Sequence, residues 1–246
     1  MARTLLQIAT AVSRRLPLSQ DPTTVVGNSD PQVRQLLELL QEEGDELTER
    51  HQWSQMYGYW QFVVTNALTQ PGVPGSVYNF ASFPSDYNRL DLDASLFRSD
   101  TQLTPMSGPV PNDSWWRLLT IPGTFPGYWR LVDGGMETIG AATGVTCTIP
   151  YVSNSWILNT NGVTTYNLWQ SDTDTPRIND NLFVLGGRWR WKQSKGLDYA
   201  EDMATYEKWL ERAIAGDRAA RPIATAKEIM QTDLSKYTWP GTIIVP

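Results

Sequence analysis

The sequence predicts an α+β fold: a helical core built from N- and C-terminal helices, a β-rich insertion between them, and an extended C-terminal arm. Three observations carry this. Apolar residues recur at helical spacing before residue 64 and again from residue 179. Between them, short aromatic and β-branched runs alternate with Pro, Gly, Asn, Ser and Thr. After residue 216 both patterns stop.

The first element is a short amphipathic helix. Leu5, Ile8, Ala9, Val12 and Leu16 share one face, and Pro17 ends it. Arg3, Arg14 and Arg15 precede the first acid, Asp21, a faint likeness to a transit peptide. The periodicity favours a packing helix. In the second helix Asp30 serves as N-cap and Pro31 as first residue. Val33, Leu36, Leu37, Leu40 and Leu47 form its stripe, with Gly44 as an interruption. Glu38, Glu42, Glu43, Asp45, Glu46 and Glu49 are expected on the solvated side.

The β-rich texture begins near Thr65. Tyr128 to Val132 reads as a strand closed by Asp133-Gly134-Gly135. Val145, Cys147, Ile149 and Tyr151 alternate with Thr146, Thr148 and Pro150, a half-buried strand with the proline at an edge or bulge. Trp156-Ile157-Leu158, Asn161-Gly162 and the run from Val163 to Trp169 form a hairpin. A short helix near residues 114–119 takes Asn112 or Asp113 as its cap.

Helical spacing returns at Asn179 with Leu182, Leu185 and Trp189. Gly196 ends that helix and Asp198 caps the next. There Tyr199, Met203, Tyr206, Leu210 and Ala213 make the stripe, and Gly216 stops it. Neither terminal stripe can stay exposed, so the helices must meet across the insertion. The resulting divisions are 1–64, 65–178, 179–216 and 217–246. The last has no periodicity but ends in residues of strong β propensity. It suits an arm that orders on a partner, for instance by adding a strand to a neighbour's sheet.

Composition narrows the function. Net charge is −6, which makes a poor general phosphate binder. One cysteine, Cys147, and one histidine, His51, leave no disulfide within the chain, no cysteine metal cluster and no histidine ligand pair. No apolar run is long enough to span a membrane. Neither a Gly-x-Ser-x-Gly elbow nor a Walker loop occurs, and Gly186-Gly187 lacks the rest of a dinucleotide fingerprint. Asp172 and Asp174 lack the glycine and glutamate of a calcium loop and read as Asx turns. No cofactor, metal or catalytic residue is assigned.

Two constellations remain. Arg188, Arg190, Lys192 and Lys195, interleaved with Trp189 and Trp191, could face phosphates. The preferred reading puts these cations at a helix C-terminus, paired with acids nearby or on another subunit. Trp115, Trp116, Trp129, Trp156 and Trp169 could stack sugars, but tryptophans equally fill the core and contacts of a thin β module.

Taken in order, several stretches resemble the head-to-tail adaptor (connector) proteins of short-tailed phages, the tail tubular protein A-like family. They are Val26-Gly27-Asn28-Ser29-Asp30-Pro31, Glu42-Glu43-Gly44, Phe83-Pro84-Ser85-Asp86-Tyr87, Pro105-Met106-Ser107-Gly108-Pro109, Tyr151-Val152-Ser153 and Asp172-Thr173-Asp174-Thr175-Pro176. The strongest runs from Leu185-Gly186 through Arg188-Trp189-Arg190-Trp191-Lys192 to Lys195-Gly196-Leu197-Asp198-Tyr199-Ala200-Glu201-Asp202 and Tyr206-Glu207. The resemblance covers nearly the whole chain. It implies a non-enzymatic virion protein of the neck, assembled in the host cytoplasm. It also implies a homo-oligomeric ring, usually of twelve copies, docked on the portal protein. Such a ring extends the DNA channel, lets double-stranded DNA pass without sequence-specific binding, and receives the tail nozzle protein. The arm commonly grips the portal or a neighbouring subunit, and Tyr237, Trp239, Ile243 and Ile244 are the expected anchors. Two rival readings stand beside it: a carbohydrate-binding or glycan-cleaving module using the tryptophans, and a DNA-end-binding completion protein using the basic cluster.

Overall fold

The computed structural model describes residues 2–16, 20–69, 77–91, 94–100, 104–120 and 127–217. The fold is α+β, with five α-helices and antiparallel sheets among the described residues.

Helix α1 (Leu5–Ser13) starts in a capping box: Thr4 accepts from the Gln7 amide, and the Gln7 side chain accepts from the Thr4 amide. Leu5, Ile8, Ala9 and Val12 are fully buried. Helix α2 (Pro31–Arg50) starts at Asp30, whose carboxylate accepts from the Gln32 amide at 2.8 Å. Helix α4 (Asp180–Ser194) is capped by Asn179. It closes on Gly196, whose φ of +67° would strain an L residue. The Leu197 amide then reaches back to the Lys192 carbonyl. Helix α5 (Ala200–Asp217) follows, with Asp198 accepting from the Ala200 amide.

Helix α4 is the hub, packed on α1, α2 and α5. Its glycine pair makes this possible. A Cβ on Gly186 would overlap the Glu43 carboxylate, and one on Gly187 would meet Leu40 of α2 at 3.0 Å. The terminal helices therefore do find each other across the insertion, as their exposed stripes required.

The insertion forms three antiparallel sheets. In the first, β1 (Tyr57–Val63) pairs with β8 (Thr146–Ser153), which also pairs with β4 (Tyr87–Leu90) and β5 (Phe97–Arg98). The second runs β2 (Leu68–Thr69), β3 (Val77–Ser82), β7 (Gly135–Ile139), β6 (Tyr128–Val132). Its β6–β7 hairpin turns at Asp133-Gly134. The third runs β10 (Thr165–Tyr166), β9 (Ile157–Leu158), β11 (Thr175–Pro176). Pro150 lies in the central strand β8, opposite Tyr59. On its other flank β4 pairs only from Tyr151 onward and β5 only up to Thr148, so the missing N–H falls in a local gap.

Several expectations are corrected. The β-rich part starts at Tyr57, not Thr65, because β1 pairs along its whole length with β8. Part of the insertion belongs to the helical core: Trp156, Ile157, Trp169 and Ile178 pack with Leu36, Leu40 and Phe183. A separate β core holds Trp60, Met136, Cys147 and Ile149. The short helix α3 (Asn112–Leu118) is capped by Pro111 with no side-chain bond, not by Asn112 or Asp113. Gly216 does not stop α5, which runs on to Asp217. Of the α5 stripe, Tyr206 and Leu210 are buried while Met203 is 37% exposed.

Candidate functional site

The predicted basic cluster is spent inside the chain. Arg188 and Lys192, one helical turn apart on α4, grip the two oxygens of Asp202 on α5 at 2.7 and 2.6 Å. Arg190 points the other way, to α2, bonding Glu43 at 2.8 Å and also Glu46. Lys195 donates to Gln35 at 2.7 Å and sits over the Trp191 ring. These groups tie α4 to α2 and α5 instead of presenting a phosphate-binding face. The acids predicted nearby are on this same chain.

One of those acids corrects the reading of α2. Glu43 was expected on the solvated side but is fully buried. Burial pushes its carboxyl above the ordinary range, while Tyr206 and Arg190 pull it back. The neighbouring Glu46 is less buried; desolvation opposes its ionisation, yet Arg190 and Arg50 hold it below its ordinary value. Arg50 carries the network on to Glu207 at 2.7 Å. A helical wheel alone misses Glu43. The signal was available in its partner: Gly186-Gly187 beside Arg190 marks a close helix approach with one cation to neutralise.

A second cluster sits at the end of α5. Asp217 Oδ2 accepts from the Ser54 amide at 3.0 Å and lies 3.0 Å from His51 Nε2, and Oδ1 accepts from the Ser54 hydroxyl at 2.5 Å. Desolvation raises this carboxyl, but the Ser54 and His51 contacts outweigh it and lower its pKa. His51 is therefore the clasp of a helix end, packed edge-on against Trp53. Asp217, counted with the arm by the sequence, belongs to α5 and is tied to the body through Ser54 and His51. Tyr237, Trp239, Ile243 and Ile244 lie outside the described residues.

The tryptophans do not form a sugar platform. Trp115, Trp129, Trp156 and Trp169 are buried. Trp116 alone of the five is open, at 52% exposure, beside a cleft of about 550 Å³ with Asn112, Arg130 and Asp133. One indole gives no stacking pair. Asp172 and Asp174 act as backbone ligands. Asp172 accepts from the Val25 and Val26 amides, and Asp174 from the Gln170 and Ser171 amides. Among the described residues no three His, Cys, Asp or Glu are grouped to hold a metal ion, and no helix is long and apolar enough to cross a membrane.

Part of what the described body leaves open is an uncharged patch. The solvent side of the first sheet carries Tyr59, Val63 and Phe97, with Pro150, Thr146 and Thr148 between them. None of these is charged. Phe80, Leu131 and Trp209 are also exposed elsewhere. Such a surface can bind a partner by burial and backbone hydrogen bonds. The chain matches no family model and no curated protein.

Proposed function

We propose that the protein is a non-enzymatic structural subunit of a ring-shaped head-to-tail connector in a virion neck. In this reading it docks on the portal protein after assembly in the host cytoplasm, extends the DNA channel and receives the tail nozzle protein. Twelve copies make the ring, and residues 217–246 act as the partner-binding arm through Tyr237, Trp239, Ile243 and Ile244.

One observation supports it above the others. The cations of α4 are paired within the chain, while the sheet face carrying Tyr59, Val63 and Phe97 and the adjoining edge of β1 are exposed among the described residues. A chain built this way gains stability by burying that surface against other chains. The two rivals lose their residues. The basic cluster needed for DNA ends is occupied by Asp202, Glu43 and Glu46. Four of the five tryptophans needed for a glycan site are in cores. A net charge of −6 also favours a conduit that DNA slides through, since an acidic chain holds phosphates poorly.

Native mass spectrometry with purified portal protein tests the proposal. The expected result is a ring of this chain on the portal, lost when residues 218–246 are deleted. A subunit that ignores portal rings, or joins them equally well without the arm, refutes it. Saccharide-dependent heat stabilisation, or steep salt-dependent binding to linear duplex, would favour the respective rival.

A further inference from the structure

We propose that the open edge of β1 accepts residues 242–245 (Thr-Ile-Ile-Val) of a neighbouring copy as an added strand, which places the arm of each subunit on the sheet of the next. The inference rests on the ring reading above for its choice of a second copy. Its acceptor edge is argued from geometry alone.

Among the described residues strand β1 is outermost in its sheet, with β8 on one side only. Just past its end the Val64 amide donates to the Val145 carbonyl at 2.9 Å. Antiparallel ladders alternate, so Phe62, Trp60 and Gly58 share that direction, and the backbone groups of Tyr59, Gln61 and Val63 point away from β8. Pro150 agrees with this phase: it stands opposite Tyr59 and has no N–H to give to a bonded pair. Among the described residues nothing bonds the outward groups of Tyr59, Gln61 and Val63.

The edge is also unprotected. Sheets guard free edges with charges, prolines, bulges or short strands. The seven residues of β1, Tyr-Gly-Tyr-Trp-Gln-Phe-Val, contain neither a charge nor a proline, and they pair with β8 without a register shift. Tyr59 is 77% and Val63 54% exposed. A strand like this is stable in solution only when something covers it.

The chain itself supplies the cover. Asp217, the last described residue of helix α5, is clasped to Ser54 three residues before β1 begins. The remaining 29 residues follow Asp217 in the sequence. The 24 residues between Asp217 and Thr242 can span up to about 80 Å when extended, against about 23 Å for a seven-residue strand. That is enough to reach the next copy. Residues 242–245 are uncharged and β-branched, bounded by Gly241 and Pro246. Backbone pairing would hold them, and the alternating side chains would rest on the charge-free face. Donor and acceptor are different surfaces, so the contact is head-to-tail, the kind that forms a ring when the rotation between copies closes.

Cysteine pairing between two full-length chains tests this. One chain carries Tyr59→Cys, Gln61→Cys or Val63→Cys; the other carries Ile243→Cys or Ile244→Cys. The native Cys147 is buried with its thiol pushed up to about 11, so it does not compete. Mild oxidation should give covalent dimers between the two chains, and a chain bearing both cysteines should give a ladder in steps of 27.7 kDa. A link closed within one chain, or no link in any combination, overturns the proposal. Hydrogen exchange guards against misfolded variants. In the wild-type chain the amides of Tyr59, Gln61 and Val63 should exchange at least tenfold more slowly than in Ile243→Asp/Ile244→Asp; equal rates would also overturn it. Rings on the portal without these links would remove this inference and leave the connector reading standing. Linked chains that never join the portal would do the reverse.

Discussion

Gly44 of α2 lies against the indole of Trp156 so closely that a Cβ there would overlap Cζ2, Cη2 and Cε2 of the ring. The glycine is a socket. Trp156 is fully buried in it, stacks on Phe183 at 5.3 Å, and donates from Nε1 to Asp45 at 3.1 Å. Gly44→Ala should destabilise the fold by about 1–3 kcal/mol through overpacking. Gly216→Ala is the control, since nothing lies within 4 Å of its Cβ position in α5; it should be neutral or stabilise by up to about 1 kcal/mol. Thermal melts of the two variants check the pair.

The buried Glu43–Arg190 pair predicts an asymmetry. Removing one partner, as in Arg190→Met, leaves an uncompensated buried carboxylate and should cost about 3–5 kcal/mol. The double variant Glu43→Leu/Arg190→Leu should recover a large part of that loss. Urea unfolding of the single and double variants measures it. A double variant as weak as the single would show that the pair contributes more than mutual neutralisation.

Asp217 predicts a loss of stability in acid. Its folded pKa is below the unfolded value of 3.8, so its contribution is complete above that value and disappears as pH falls through the folded one. Asp21 and Glu46 are lowered too and share the sign, so the difference between wild type and Asp217→Asn isolates the clasp. At pH 7 the variant should melt at a lower temperature, and the gap should narrow progressively below about pH 4. A gap independent of pH would disprove the assignment.

The pairing of the basic cluster predicts weak DNA binding. Arg188 and Lys192 are held by Asp202, so the wild-type chain should not retain linear duplex at about 150 mM salt. Asp202→Asn frees both cations and should raise affinity for duplex, with a steeper salt dependence. Fluorescence anisotropy across a salt series reads both.

Cys147 should behave as a reporter of unfolding. It is fully buried in the β core, with its thiol raised by desolvation. Thiol reagents should label it only in denaturant, in step with loss of the β core. Fast labelling of the native protein at pH 8 would contradict the burial.

The sequence by itself determined the principal helices and some of the strands. Helix caps at Asp30 and Asp198, the stop at Gly196, and the alternation through Cys147 and Ile149 are local signals, because a cap or a pleat is decided within a few residues. Only the tertiary structure decided which polar residues are buried and which apolar ones are not. Glu43 leaves the solvent because Gly186 admits it beside Arg190, and Trp156 joins the helices because Gly44 leaves it room. Tyr59 and Val63 stay exposed because they alternate with the buried Trp60, on the face of β1 turned away from the β core. Each of these depends on a partner roughly 90 to 150 positions away, and no window along the chain contains both halves of such a contact.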